Sequence, residues 1–311
     1  MTERTAAASE ARAALIAGVG CYAIWGFVPL AFQQMAHAGA DAWEIMAHRT
    51  AWAVLWAFGL VIASRQLPQL KAALRDRRIM GWIGLSTALI ALNWTVYVMA
   101  VNGGRTLDAS LGYYLNPLLN MAAGAWLFRE RIERLGLVAI ALAGVGVVMQ
   151  GVALGHLPWV SLILAFSFCA YGIIRKRVAV DAQTGLFLEC LLLAPLGLAW
   201  LWWIAAQGQA HFGASSAATL WLLAAGPLTV VPMALFAWAA RRMPYSTLGF
   251  LQFLAPTIVF FIGVSQGEPF GPLRAASFAF IWAGAAVFAL GVILARRKAR
   301  TEAALEVVEP L

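Results

Sequence analysis

Arg75-Asp-Arg-Arg78 runs into Ile79-Met-Gly-Trp-Ile-Gly-Leu-Ser-Thr-Ala-Leu-Ile-Ala-Leu-Asn-Trp-Thr-Val-Tyr-Val-Met-Ala-Val101, 23 residues without a charge. Coiled as an α-helix at about 1.5 Å per residue, such a run crosses a hydrocarbon core roughly 30 Å thick. A surface helix of a soluble protein sets charged residues opposite its apolar stripe, and this stretch has none to set there. The segment therefore reads as a transmembrane helix whose basic end stays in water.

The chain on either side repeats the pattern. Apolar segments near 13–34, 43–63, 79–101, 107–128, 134–151, 158–174, 185–205, 217–239, 246–266 and 276–295 give ten expected spans. Hydrophobic residues make up 62% of the 311 and charged residues 12%, against about 25% charged in soluble domains. Unpaired backbone amides are too costly in hydrocarbon, so the spans must be helices or a closed barrel. Long apolar runs rather than short alternating ones select helices. The first run is longer than the apolar core of an ordinary signal peptide and is expected to be a retained helix. The dozen residues before it and the tail after Ala295 are polar and expected to be disordered.

The net charge of +8 does not point to nucleic acid, because no segment interleaves a basic face with stacking aromatics. Nineteen of the 22 Lys and Arg lie at the two termini and in alternate connections, such as Arg65 to Arg78 and Arg175-Lys-Arg177. The opposite connections hold only Arg105 and Arg274, while Arg49 falls inside a segment. By the excess of basic residues on cytoplasmic loops, both termini are expected in the cytoplasm. Cys21, Cys169 and Cys190 all lie in apolar runs, an odd number with neither a disulfide framework nor metal-ligand spacing.

The two halves resemble each other. Arg105-Thr-Leu-Asp-Ala-Ser-Leu-Gly112 overlays Arg242-Met-Pro-Tyr-Ser-Thr-Leu-Gly249, and Phe128-Arg-Glu130 overlays Gln266-Gly-Glu-Pro269. Trp25-Gly26 falls opposite Tyr171-Gly172, and Glu44 falls near Glu189. Each half holds five segments, an odd number, so the second copy must enter upside down, with Glu130 cytoplasmic and Glu268 external. The expected fold is an all-α integral membrane protein of ten transmembrane helices in two inverted-topology five-helix repeats, 13–155 and 156–296. Cytoplasmic tails at 1–12 and 297–311 flank them. Inverted repeats allow two pseudo-symmetric conformations around a midplane site, which points to solute transport. A duplicated membrane enzyme or channel is the competing reading.

Polar groups within spans cost about 2.5–3.5 kcal/mol each at a helix centre and mark candidate sites. Glu44 and His48, four apart on one helical face, could bind a proton or a substrate ammonium, and Arg49 beside them could grip a carboxylate with two parallel hydrogen bonds. The bland alternative is an interfacial anchor in which Glu44 neutralises Arg49. Asn93 and Tyr97 share a face of the third segment. Tyr113, Asn116 and Asn120 form a stripe on the fourth, beside Pro117, which removes a helical hydrogen bond and suggests a hinge. Such stripes form either a substrate wall or glue between helices. In the second half Tyr171 and Gln252 are cavity candidates, with Pro256 mirroring Pro117, whereas Glu189 is read as paired with Arg175 or Lys176 near the cytoplasmic end. Trp25 is a candidate because its repeat partner is also aromatic, and aromatic walls suit an amphipathic or aromatic solute.

Several of these blocks resemble the EamA family of the drug/metabolite transporter superfamily, and within it the RarD branch. They are Ala23-Ile-Trp-Gly-Phe-Val-Pro-Leu30, Glu44-x-x-x-His48-Arg49, Asn93-Trp94-x-x-Tyr97-x-x-Ala100-Val101-Asn102, Leu111-Gly-Tyr-Tyr-Leu-Asn-Pro117 and Gly267-Glu-Pro269. The resemblance covers about residues 12–296 and implies a ten-helix carrier of the cytoplasmic membrane with a central cavity. The second half departs from the first, with no acidic-His-Arg cluster and no Asn-Pro in the ninth segment.

The expected activity is secondary transport, by alternating access, of small metabolites or amphipathic, drug-like solutes out of a bacterial cell across its cytoplasmic (inner) membrane. No phosphate-binding glycine loop is present for ATP, leaving proton coupling through Glu44 and His48, or exchange. No cofactor and no metal are expected. An intramembrane enzyme would show a motif such as His-Glu-x-x-His, and a channel would show charged rings or a carbonyl filter. The small-residue runs Ala141–Gly146 and Ala283–Ala286 suit close helix packing, a homodimer interface included.

Overall fold

The computed structural model describes residues 3–128, 134–243, 247 and 251–308. The described residues form helices α1 (Glu3–His37), α2 (Ala42–Ala63), α3 (Leu67–Arg75), α4 (Arg77–Asn102), α5 (Thr106–Phe128), α6 (Arg134–Leu154), α7 (Trp159–Arg177), α8 (Ala182–Ala206), α9 (Ser216–Ala240), α10 (Leu254–Ser265) and α11 (Pro272–Val308). Eight are long and apolar enough to cross a membrane: α1 from Arg12, α2, α4, α6, α7, α8, α9 and α11 as far as Gly291. In the place of the fourth expected span is α5, whose Asp108, Asn116 and Asn120 make it more polar than those eight. In the place of the ninth is α10, a shorter apolar helix of 12 residues. The outward faces carry apolar side chains such as Leu196 and Leu220, 71% and 67% exposed, as helices solvated by lipid require.

Helix starts follow ordinary capping chemistry. The Asp41 carboxylate accepts from the Glu44 amide at 2.7 Å, Asp76 accepts from Arg78 and Ile79, and Ser215 accepts from Ala218. Two expectations fail at the ends. The chain is helical from Glu3 and again as far as Val308, where disorder was expected. Ala, Glu and Arg dominate both extensions, and these strong helix formers propagate a helix already nucleated in the bundle. The basic connection after α2 likewise folds into α3, which buries Leu70 and Ala73.

The helices pair in a regular way. α2 lies on α8, α5 on α10 and α6 on α11, while α1 packs against α9 and α10, and α7 against α4 and α5. Small residues set the tightest crossings. A Cβ on Gly26 would fall 2.7 Å from the Ile258 Cβ, and one on Gly112 would fall 2.9 Å from the Ser161 carbonyl oxygen. Gly146 and Gly284, from the two small-residue runs, face α11 and α6 within the one chain. Glu130 and most of 244–250 lie outside the described residues, so the repeat blocks there have no structural counterpart to compare.

Candidate solute-binding site

Four helices converge on Arg49. Seven residues after the first residue of α2, it stands about 10 Å into the bundle. It is 9% exposed, and its Nε donates to Thr229 Oγ1 of α9 at 2.9 Å, its one hydrogen bond to a described residue. The guanidinium carbon lies 4.0 Å from the Trp94 ring centroid on α4 and 5.5 Å from that of Phe32 on α1. No carboxylate of a described residue is within ion-pair distance of it. Each ring contact contributes about 0.5–2 kcal/mol, whereas burying a cation costs several kcal/mol after relaxation. The surroundings leave Arg49 electrostatically undercompensated.

From this residue an aromatic file runs through the bundle. Phe32 and Tyr97 rings lie 6.4 Å apart, Tyr97 and Tyr113 5.3 Å, Tyr113 and Phe168 6.1 Å, and Phe168 and Tyr171 5.9 Å. Asn93 braces it: its Nδ2 donates to Leu164 O and Ser167 Oγ, and its Oδ1 accepts from Tyr113 OH at 3.0 Å. Asn93 is thus both glue between α4 and α7 and a positioner of Tyr113. At the far end the fully buried Glu189 accepts from Ser86 Oγ at 2.8 Å and Tyr171 OH at 3.2 Å, with Arg175 Nε at 3.7 Å. Glu189 sits seven residues into α8, about 10 Å from its start, deeper than the helix-end position expected, and it does face Arg175.

Glu44 and His48 are not partners. Glu44 accepts from the His211 amide at 2.7 Å and lies 2.8 Å from His211 Nδ1, beside a cavity of about 470 Å³. His48 Nδ1 accepts from Trp52 Nε1 at 3.1 Å, and its ring stacks on Phe212 with centroids 5.0 Å apart. His48 borders an apolar groove of about 750 Å³ between α2 and α8. Successive helical residues are about 100° apart. Glu44 and His48 therefore share the α8-facing side, and Arg49 turns to the centre without the expected Glu44 neutralisation.

The other candidates scatter. Trp25 joins Tyr22 and Phe236 in a cluster with centroids 5.5 Å and 6.1 Å from its own, tying α1 to α9. Pro117 lies within a continuous α5, where it frees the Tyr113 carbonyl, and the neighbouring Asn116 Oδ1 is buried without a partner among the described residues. Pro256 is no mid-helix hinge as described: it is the third residue of α10, where a missing N–H is no loss, and its carbonyl accepts from Ser110 Oγ. Gln252, half-buried just before α10, makes no side-chain hydrogen bond to a described residue.

Sequence reasoning missed the partners that close one end of the bundle. Glu268 accepts from the Thr106 and Leu107 amides and caps α5. Asp108 takes Arg274 at 2.6 Å and Arg105 at 2.9 Å, and Gln33 and Gln266 exchange amide hydrogen bonds. The first turn of α5 has amides to satisfy, which signals a cap without saying which residue supplies it. Among the described residues no His, Cys, Asp or Glu group is placed to hold a metal, and the three cysteines are free and buried.

A polytopic helical membrane protein with one uncompensated arginine among aromatic rings is the class these features define. The EamA-like transporter family matches residues 12–151. Protein RarD of Salmonella typhi is 38% identical over 94% of this chain and 99% of its own length, and an uncharacterized transporter of Pseudomonas aeruginosa is 42% identical over 91% and 95%. A further Pseudomonas aeruginosa relative, named chloramphenicol-sensitive protein RarD, is 33% identical over 78% of this chain and 82% of its own. A solved chain only 19% identical superposes with a TM-score of 0.57, over 91% of this chain and 98% of that one, and so shares the fold. The chain belongs to the EamA-like transporters, RarD type, and is a multi-pass membrane transporter.

Proposed function

We propose that the protein is a secondary transporter exporting small amphipathic solutes across a bacterial cytoplasmic membrane by alternating access. In this reading it has ten spans in two inverted five-helix repeats, with both termini in the cytoplasm. The observation that carries the proposal is the Arg49-to-Tyr171 file, a polar and aromatic lining built from both halves of the chain. Two facts support the inverted arrangement. Helices five places apart in the expected order meet directly, as in α2 with α8 and α6 with α11, and α1 on α9 answers α7 on α4, as a two-fold relation requires. Basic residues alternate from side to side along the chain.

Asn93, Tyr97, Tyr113 and Tyr171 form the proposed solute path leading from Arg49, Trp25, Asn116 and Gln252 are proposed lining residues elsewhere in the bundle, and Pro117 is the proposed hinge. Glu44 and His48 are the proposed coupling groups, acting from the α8 side. Counterflow of labelled solute in proteoliposomes tests the carrier, and large unitary currents would mean a channel instead. Trp25→Ala and Asn116→Ala are expected to slow counterflow at least fivefold. A Glu44→Gln/His48→Ala double variant with full transport and unchanged pH dependence would remove those two from coupling.

A further inference from the structure

The geometry points to an aromatic monocarboxylate as the solute class, its carboxylate held by the terminal nitrogens of Arg49 and its ring against the aromatic file. This rests on the transporter reading and narrows it. Arg49 spends only Nε on the protein, at Thr229, and that bond orients the guanidinium plane. The four N–H groups of the terminal nitrogens have no acceptor among the described residues. A planar fork with parallel N–H donors matches a carboxylate.

Every nearby anion is committed elsewhere. Glu44 is held by His211, and Glu189 by Ser86, Tyr171 and Arg175. Arg175 beside Glu189 contributes no net charge, so among the described residues of the path Arg49 alone is left without a counter-charge, which favours a monoanion over a phosphate dianion. An ammonium group would find no carboxylate acceptor, which disfavours amines and zwitterions. Trp94 and Phe32 hold the cation in place while Tyr97, Tyr113 and Phe168 offer ring faces and edges beside it. An arginine kept only to join α2 to α9 would need no such faces and no free donors.

The test is proteoliposome uptake above protein-free vesicles for three matched series: benzoate, phenylacetate and hippurate; their amides; and benzylamine and phenethylamine. The full chain is expected to carry at least one acid ten or more times faster than its amide or the corresponding amine. Arg49→Lys, which keeps the charge but loses the fork, is expected to lower acid uptake at least tenfold. A melting temperature within a few degrees of the parent shows that it is folded. Thr229→Val, which frees the guanidinium to swing, is expected to raise the half-saturating acid concentration severalfold with Arg49 intact. If amides or amines move as fast as acids, or folded Arg49→Lys keeps the acid preference, the inference is overturned and the transporter reading stands. If no member of any series moves, the inference is likewise overturned, and counterflow of other amphipathic solutes then tests the transporter reading separately.

Discussion

Glu44 and His211, 167 positions apart, meet twice: one carboxylate oxygen accepts the His211 backbone N–H at 2.7 Å, and the other lies 2.8 Å from its ring Nδ1. The contact folds the α8–α9 connection down onto α2. It also needs Gly39, since a Cβ there would lie 2.4 Å from the His211 ring, and its φ of +104° is one that L-residues rarely adopt.

Removing the histidine should loosen that connection. His211→Ala is expected to cost about 1–2 kcal/mol of local stability, the worth of a charge-assisted hydrogen bond at a half-exposed side chain. Hydrogen exchange of residues 207–214 should then quicken roughly 5–30-fold. Unchanged exchange would show that the backbone contact alone holds the connection.

Asp108 should be the most sensitive ionic residue at that end. Its side chain is 3% exposed and that of Arg274 11%, so Asp108→Ala strands a buried cation, at a cost of about 3–5 kcal/mol. Arg105, 30% exposed, should contribute about 1 kcal/mol or less when replaced by Ala. Melting of the purified protein in detergent should rank the two variants in that order.

Glu268 caps a helix from the other half of the chain. Glu268→Ala leaves the Thr106 and Leu107 amides without their acceptor and is expected to destabilise by roughly 1–2 kcal/mol. Gln at 268 retains one acceptor oxygen and should recover about half of that. Equal melting temperatures for the two variants would mean that both oxygens are needed.

The paired sequences Trp25-Gly26 and Tyr171-Gly172 should respond differently. Gly26→Val pushes into Ile258 and is expected to cost about 1–3 kcal/mol, relieved in part by Ile258→Ala. Gly172 has nothing within 4 Å of its missing Cβ, so Gly172→Ala should leave the melting temperature unchanged.

Orientation can be read by chemical labelling. In a background with Cys21, Cys169 and Cys190 replaced by Ala, a cysteine at exposed Gln209 is expected to react with an impermeant maleimide in intact cells. A cysteine at exposed Asp181 should react only after permeabilisation. The reverse pattern would invert the topology.

The sequence by itself was enough for the elements. Eight of the ten expected spans reappear within a few residues, because a run without charge that must satisfy its own amides has only the helix available. The fourth and ninth were harder. Asp108 and the Asn116–Asn120 stripe dilute the apolar signal of α5, and the start of the ninth span, 246 and 248–250, lies outside the described residues. The terminal extensions were misread because their polarity was taken for disorder, although their residues favour helix.

Arg49 stood out in the sequence as a charge inside a span, and so did Asn93, Tyr97 and Tyr113 beside it. Their grouping was not legible, because it depends on contacts between α1, α2, α4, α5, α7 and α9 that no local pattern encodes. Spacing of four residues placed Glu44 and His48 on one face, and that was correct as helix geometry. Only the tertiary structure decided what that face meets: His211 and Phe212 rather than Arg49. Periodicity fixes which residues share a side of a helix. Packing fixes which neighbour that side finds, and here packing leaves Arg49 buried with no counter-charge among the described residues.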